Sequence, residues 1–262
     1  MLNHSRKTDE QFGKSASAYL SSTVHSQGPD LIDLAAKFVD ATRGHVLDLG
    51  CGAGHVSFAV APRVKSVIAY DLSARMLQVV RGEAERRNLK NITTEQGKAE
   101  QLPFANASFD WVCTRYSAHH WQELGQAVKE VFRVLKPGGL FIVIDSSTSE
   151  NPLLDTHMQA IELLRDGSHV RNYTLAEWSR TLEAEGFQIE SYKSWKIDLE
   201  FNPWVERIQT PALHVEVLRS LLKNSPQEVH DFFQIAEDGS FRADSMRIEA
   251  RRPLLCGGPE NR

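Results

Sequence analysis

His45-Val46-Leu47-Asp48-Leu49-Gly50-Cys51-Gly52-Ala53-Gly54 is the stretch on which the fold turns. An apolar run reaches Asp48, and three glycines follow at alternating positions. That pattern predicts a buried strand, a tight turn and the start of a helix. Glycine is required in such a turn where a side chain would hold the backbone away from a ligand. A tight strand-to-helix connection without any ligand would use glycine as well. The spacing is Gly-x-Gly-x-Gly, and no Gly-Lys-Ser/Thr follows, so a phosphate-cradling loop is excluded.

Downstream, Val67-Ile68-Ala69-Tyr70 reads as a second strand ending in Asp71-Leu72-Ser73. Ser73 is placed to cap a helix running to about Asn88, with Met76, Val79, Val80 and Ala84 inward. A weaker strand, Ile92–Glu95, ends in Gly97-Lys98-Ala99-Glu100. The strand Phe109–Thr114 runs out into Arg115-Tyr116-Ser117-Ala118-His119-His120-Trp121. Leu124, Ala127, Val128, Val131, Phe132 and Leu135 keep a 3.6-residue period, and Pro137-Gly138-Gly139 is expected to stop that helix. Leu140–Ile144 is the fifth strand. Strands alternating with helices through short connections give an α/β chain with a parallel sheet and helices on both faces.

The pattern changes after Asp145. Asn151–Arg171 is part helix, part loop; Thr174–Phe187 is a helix; Gln188–Phe201 alternates like a strand. Pro203–Ala236 reads as two or three short helices before a final strand, Phe241–Leu255. The last strands are expected to form an antiparallel edge. Upstream, Asp9–Tyr19 is rich in small residues with two aromatics and is expected to be a mobile arm, followed by a helix over Pro29–Val39. The expected organisation is one domain over 1–262: an arm and helix in 1–44, a cofactor-binding core in 45–146, and a substrate side in 147–262.

The 262 residues carry a net charge of −4, with 41% hydrophobic and 24% charged residues, the composition of an ordinary globular chain. The acidic balance and the lack of a long basic stripe argue against nucleic acid as partner. Cys51, Cys113 and Cys256 are odd in number and far apart, so no disulfide framework is expected and a reducing cytoplasm fits. Met1–Glu10 is polar, which argues against a signal peptide. No apolar run approaches the ~18–20 residues of a membrane span.

Asp71 ends the strand after the glycine turn, about 20 residues on, where a carboxylate can accept hydrogen bonds from ribose hydroxyls. It is equally placed to sit at a helix N-terminus and complement the dipole. Five segments then occur in order: Asp48-Leu-Gly-Cys-Gly-Ala-Gly, Asp71-Leu-Ser, Gly97-Lys-Ala-Glu-Gln-Leu-Pro-Phe, Ser108-Phe-Asp and Arg133-Val-Leu-Lys-Pro-Gly-Gly. Together they resemble the class I S-adenosylmethionine-dependent methyltransferases, in the methyltransferase type 11 group that includes ubiquinone/menaquinone-biosynthesis enzymes. The resemblance covers roughly Val46 to Ile144.

It implies a Rossmann-like, seven-stranded, mostly parallel sheet with an antiparallel last strand, and S-adenosyl-L-methionine as cofactor. On matching positions it implies that Gly50, Cys51 and Gly52 pass under the methionine part, with Asp48 near its amino group. Asp71 would hold the ribose, Leu72 and Met76 the adenine faces, and Ala99 and Glu100 the adenine edge. Arg115 and Tyr116 would face cofactor and substrate. The chain departs from the minimal pattern in the helical segment Asn202–Asp238 between its last two strands.

Methyl transfer needs no protein nucleophile; it needs donor and acceptor held in line and water kept out. A base is needed only for an acceptor protonated at neutral pH. His119 and His120 are the candidates, with Tyr116 beside them, and pocket-wall packing is the competing role. Two adjacent histidines without a third ligand do not make a metal site. Tyr19, His169 and Arg171 are candidates to meet the substrate, Arg171 through an acidic group or else in a surface ion pair. Cys51 is read as a small turn residue. A small-molecule acceptor is expected, and the apolar later helices suit a core, a lid or a homodimer surface. Two other readings stand beside methyl transfer: a regulatory protein that binds the cofactor without transferring from it, and a nicotinamide-dependent oxidoreductase on a similar sheet.

Overall fold

The computed structural model describes residues 3–21, 28–38 and 41–254, apart from the side chains of residues 14–18 and 21. Cys256 and the expected strand end at Leu255 lie outside the described residues. In order the chain forms α1 (His4–Ser21), α2 (Pro29–Ala36), β1 (His45–Leu49), α3 (His55–Val60), β2 (Ser66–Asp71), α4 (Ala74–Arg86), β3 (Ile92–Gln96) and β4 (Phe109–Arg115). Then come α5 (Leu124–Val134), β5 (Leu135–Ser147), α6 (Pro152–Arg165), α7 (Leu175–Ala184), β6 (Gln188–Leu199), α8 (Phe201–Glu206), α9 (Ala212–Lys223), α10 (Gln227–Phe233) and β7 (Phe241–Arg251).

The strands make one seven-stranded sheet in the order β3-β2-β1-β4-β5-β7-β6. The first five are parallel, and β7 runs antiparallel to both β5 and β6. The strand order reverses between β1 and β4, which opens a crevice at their carboxyl ends. The two-residue period of the strands divides the core. Leu47, Val112 and Phe141 pack on one face with Val128, Val131, Trp178 and Leu182 of α5 and α7. Val46, Cys113 and Ile142 pack on the other with Leu31, Leu34, Val56 and Val60 of α2 and α3. The helices between β6 and β7 bury Trp204, Leu218 and Phe233 in a third cluster with Met158 and Ile161 of α6.

Three local expectations are corrected. The N-terminal segment, read as an arm, is an 18-residue helix. Ser73 stands at the start of α4, but its side chain makes no capping bond; the Asp71 carboxylate takes the Ser73 amide instead, at 2.8 Å. Pro137-Gly138-Gly139 lies inside β5. Phe109 pairs with Leu135 and Trp111 with Leu140, so Lys136–Gly139 bulges out between two paired positions. Thr174 gives α7 a full capping box with Glu177, which fixes the helix start where the sequence placed it. No helix among the described residues is long and apolar enough to cross a membrane.

Candidate functional site

The floor of the crevice is the turn after β1. Gly50, Gly52 and Gly54 have φ of 68°, 50° and 87°, the left-handed region that favours glycine. The amides of Gly50 and Cys51 donate to the Tyr70 carbonyl at 2.8 and 3.0 Å, tying the turn to β2. A Cβ on Gly50 would fall 1.9 Å from Ser117 Oγ, so β4's exit loop closes that position. A Cβ on Gly52 would meet nothing within 4 Å. Gly52 therefore presents bare backbone to open space.

Two carboxylates flank this cradle. Asp48 is 1% exposed and accepts from the Ser57 amide at 2.9 Å and the Ser57 hydroxyl at 2.6 Å. Burial outweighs these bonds and pushes its carboxyl up to about 7. Asp71 accepts from the Gly52 amide at 2.8 Å through one oxygen and the Ser73 amide through the other. Burial raises its pKa too, and each oxygen keeps a lone pair for a ligand hydroxyl. Beside Asp71, Leu72, Met76 and Ala99 line an apolar slot. Glu100 lines the same wall, but one of its oxygens accepts from the Gln122 amide at 2.9 Å and so also holds the loop after His120. The Cys51 thiol is pushed well up by burial and by the Asp71 and Asp48 charges, which keeps it protonated and unreactive.

The roof is α1, which sequence reasoning did not see as a helix. His4, Ser5, Thr8, Phe12 and Tyr19 line the crevice from above. Phe12 packs edge-on to His120 at 4.8 Å and near Tyr19 at 5.6 Å. His55 donates from its ring to the Tyr19 carbonyl at 3.0 Å, closing roof onto floor. The sequence signal was slight: only Phe12 and Tyr19 interrupt a small-residue run that has no apolar stripe.

The far wall comes from β4. Tyr116 has φ 50°, a strained turn of the kind that collects at functional sites. Its hydroxyl bonds Ser245 Oγ at 3.1 Å, and burial pushes the phenol up to about 12. Arg115 is locked to Asp30 of α2 at 2.6 Å, both side chains buried. His120 faces the crevice and donates from Nδ1 to the Ser168 carbonyl at 3.1 Å. That bond leaves Nε2 as a lone-pair acceptor, 3.9 Å from Asp166. Burial and the neighbouring His119 push its pKa down to about 4. His119 points out of the crevice: its Nδ1 meets the buried Asp145 carboxylate at 2.5 Å, and that charge raises its pKa against the effect of burial.

The crevice thus gathers Asp48, Gly50, Cys51, Gly52, Asp71, Leu72, Met76, Ala99, Glu100, Arg115, Tyr116, His120 and Tyr19. His119, His169 and Arg171 stand outside its lining. His169 is buried against Gln159 at 2.9 Å, and burial with two neighbouring histidines pushes its pKa down to about 3. Arg171 is taken by Glu177 and Asp155 at 2.9 and 3.2 Å, the surface ion pair weighed from sequence. No group of three or more metal-ligating side chains occurs among the described residues.

Residues 47–143 match the family model described as a methyltransferase domain. The chain is 44% identical over 203 residues to the uncharacterized protein YafE of Escherichia coli, covering 78% of this chain and 98% of that protein. It is 36% identical over 240 residues to the uncharacterized methyltransferase YcgJ of Bacillus subtilis, covering 91% and 94%. The crystal structure of the latter superposes with a TM-score of 0.82 at 32% identity, covering 85% of this chain and 97% of that one. A demethylmenaquinone methyltransferase of Lactococcus lactis is 39% identical over 128 residues, 47% of this chain and 49% of that protein. With the sheet order, the glycine cradle and the similarity to YcgJ over most of both chains in hand, the chain belongs to the class I S-adenosylmethionine-dependent methyltransferases, in the methyltransferase type 11 group.

Proposed function

We propose that the crevice binds S-adenosylmethionine through the residues gathered there and presents it to a small-molecule acceptor, with the whole chain working as one cytoplasmic methyltransferase. The observation that carries this is Gly52: its bare, outward backbone beside the Asp71 carboxylate is a cradle for an adenosyl cofactor. When bound, the cofactor supplies a methyl carbon activated by a cationic sulfonium.

The protein's part is to bind, orient and exclude water. Asp71 accepts from the ribose hydroxyls with its two remaining lone pairs. Leu72, Met76 and Ala99 enclose the adenine, and Asp48 stands where the amino group needs a carboxylate. Two carboxylates on one rim give the field that suits a cation. Phe12 and Tyr19 of α1 roof the site and keep water from the transfer. Asp71→Ala is expected to weaken binding of S-adenosylhomocysteine by ~1–3 kcal/mol in calorimetry; wild-type affinity in that variant would remove Asp71 from this role.

For an acceptor that carries its proton, His120 is the base: its ring lines the crevice, its Nδ1 is engaged by the Ser168 carbonyl, and Asp166 stands by to balance the imidazolium. His119 positions it by holding the loop to Asp145. His120→Gln is expected to lower turnover ~10²–10⁴-fold, followed as S-adenosylhomocysteine released across an acceptor panel, with cofactor affinity kept. Equal turnover would remove the base role.

A further inference from the structure

The residues that follow α6 form a strap between the roof and the His120 loop. Asp166 sets its turn by accepting from the Ser168 amide and hydroxyl at 2.8 and 2.6 Å. Further on, the amides of Val170 and Arg171 donate to the His119 carbonyl at 2.9 and 3.2 Å. The strap is thereby fixed to the loop that carries His120. Ser168 is fully buried, and its carbonyl has two lone pairs to satisfy. His120 donates to it from Nδ1 at 3.1 Å, and His4 of α1 donates to it from Nε2 at 3.0 Å. One buried oxygen thus joins the roof helix to the ring of the base. Lys7 of α1 lies over Gly167 so closely that a side chain there would strike it.

A carbonyl only accepts, so each ring carries hydrogen on the nitrogen that meets it. The bond to Ser168 therefore fixes the Nδ1–H tautomer of His120 and leaves Nε2 as its basic nitrogen. α1 meets the same ring a second time. Phe12 packs edge-on to His120 at 4.8 Å with an interplanar angle of 71°, and the His119 ring lies 4.2 Å away. Phe12 and Tyr19 also pack against Ala53 and Met76, which line the cofactor crevice. Phe12 therefore touches the cofactor side and the base at once. Elsewhere α1 is tied by Gln11 to the Ile208 carbonyl at 2.6 Å and by its Tyr19 carbonyl to His55 at 3.0 Å. A helix docked by scattered polar contacts, with little apolar burial, belongs to the part of a fold that opens at least cost.

Resting on the reading of His120 as base, we propose that α1 is an interlock between cofactor and base. Docked over the cofactor, it holds the His120 ring through Phe12 and through the carbonyl that His4 and His120 share. Lifted, it releases both contacts. His4 and Phe12 are then positioning residues, and the Asp166–Ser168 strap carries the effect of His4. The coupling is reciprocal: a cofactor that favours docked α1 favours the oriented base, and an oriented base favours docked α1 by the same free energy. An acceptor therefore meets a competent base only with the cofactor in place.

The test is nuclear magnetic resonance of the full chain carrying nitrogen-15 histidine, at neutral pH, with and without S-adenosylhomocysteine. His120 is assigned by the signals lost in His120→Gln, and long-range proton–nitrogen spectra distinguish the two tautomers of a neutral ring. Wild type with S-adenosylhomocysteine is expected to show His120 as the Nδ1–H form alone. His4→Leu is expected to mix in the Nε2–H form and to lower turnover about tenfold. His4→Gln keeps a side-chain N–H and is expected to restore the single tautomer, a rescue that a merely structural role would not give. Arg6→Gln, on the exposed face of the same turn, leaves the spectrum unchanged. Hydrogen exchange supplies the second readout. S-adenosylhomocysteine is expected to slow amide exchange about tenfold in both 4–13 and 166–171 of wild type, and His4→Leu to lose the slowing in 166–171. Should His4→Leu not fold, the wild-type exchange comparison decides. A pure Nδ1–H form in His4→Leu, or protection confined to 4–13, overturns the proposal. Wild-type turnover in His120→Gln contradicts the base reading alone, since neither readout depends on it. S-adenosylhomocysteine failing to bind contradicts the cofactor reading alone, since the tautomer comparison in the free chain still decides whether α1 holds His120.

Discussion

A methyl group added at Gly50 would fall 1.9 Å from Ser117 Oγ, whereas one added at Gly52 would meet no protein atom within 4 Å. The two glycines therefore fail differently. Both alanine variants pay for left-handed backbone, roughly 1–2 kcal/mol. Gly50→Ala adds overlap and is expected to lose about 1–3 kcal/mol more in urea unfolding. Gly52→Ala is expected to fold but to bind S-adenosylhomocysteine at least about tenfold more weakly, because its methyl enters the ligand's space. Asp48 gives a second test. Its carboxyl, held up to about 7, is largely protonated below that pH in the free protein, and a cationic amino group favours the ionised form. Cofactor affinity is thus expected to rise with pH up to about 7 and then level off. Up to one proton is released on binding below that, read by calorimetry in buffers of different ionisation enthalpy. Asp48→Asn should abolish the release.

Among the elements, the parallel strands and α5 were legible because burial on both faces leaves long apolar runs and a clean helical stripe. Val46 and Leu47 sit on opposite faces of the sheet, both fully buried, and no polar position interrupts them. α1 was illegible for the opposite reason. It buries little and is held by polar contacts to distant backbone, such as Gln11 to Ile208, which leave no period in the sequence. Pro137-Gly138-Gly139 read as a helix stop because that is its usual effect; pairing of Leu135 with Phe109 draws the same residues into β5. The link between α2 and β4 makes a prediction here. Asp30→Ala takes the carboxylate from a buried guanidinium, Arg115 at 2.6 Å, and is expected to cost about 3 kcal/mol. An exposed pair such as Lys193 with Asp33 should contribute under ~1 kcal/mol. Double-mutant cycles in urea compare them.

For the whole molecule, stability in acid depends on buried histidines. His120 and His169 have folded pKa values of about 4 and about 3, below the ~6.5 of an unfolded histidine. The unfolded chain therefore binds more protons, and their contribution is complete above pH ~6.5 and lost as pH falls towards 4 and 3. Asp48, with its raised pKa, acts in the opposite sense over the same window. The informative quantity is the difference between variants: His169→Gln is expected to reduce the acid-side slope by about one proton, ~1.4 kcal/mol per pH unit. At this scale the floor of the crevice was readable because its residues follow strand ends in sequence order. Its roof was not: α1 comes from a segment far from those strands in sequence, and His169 and Arg171, two of the sequence candidates, are claimed by Gln159 and by Glu177 with Asp155. The most direct measurement of the central claim is calorimetric titration of the wild-type chain with S-adenosylmethionine and S-adenosylhomocysteine. Saturable one-site binding of both is predicted, and a folded protein that binds neither would contradict the account.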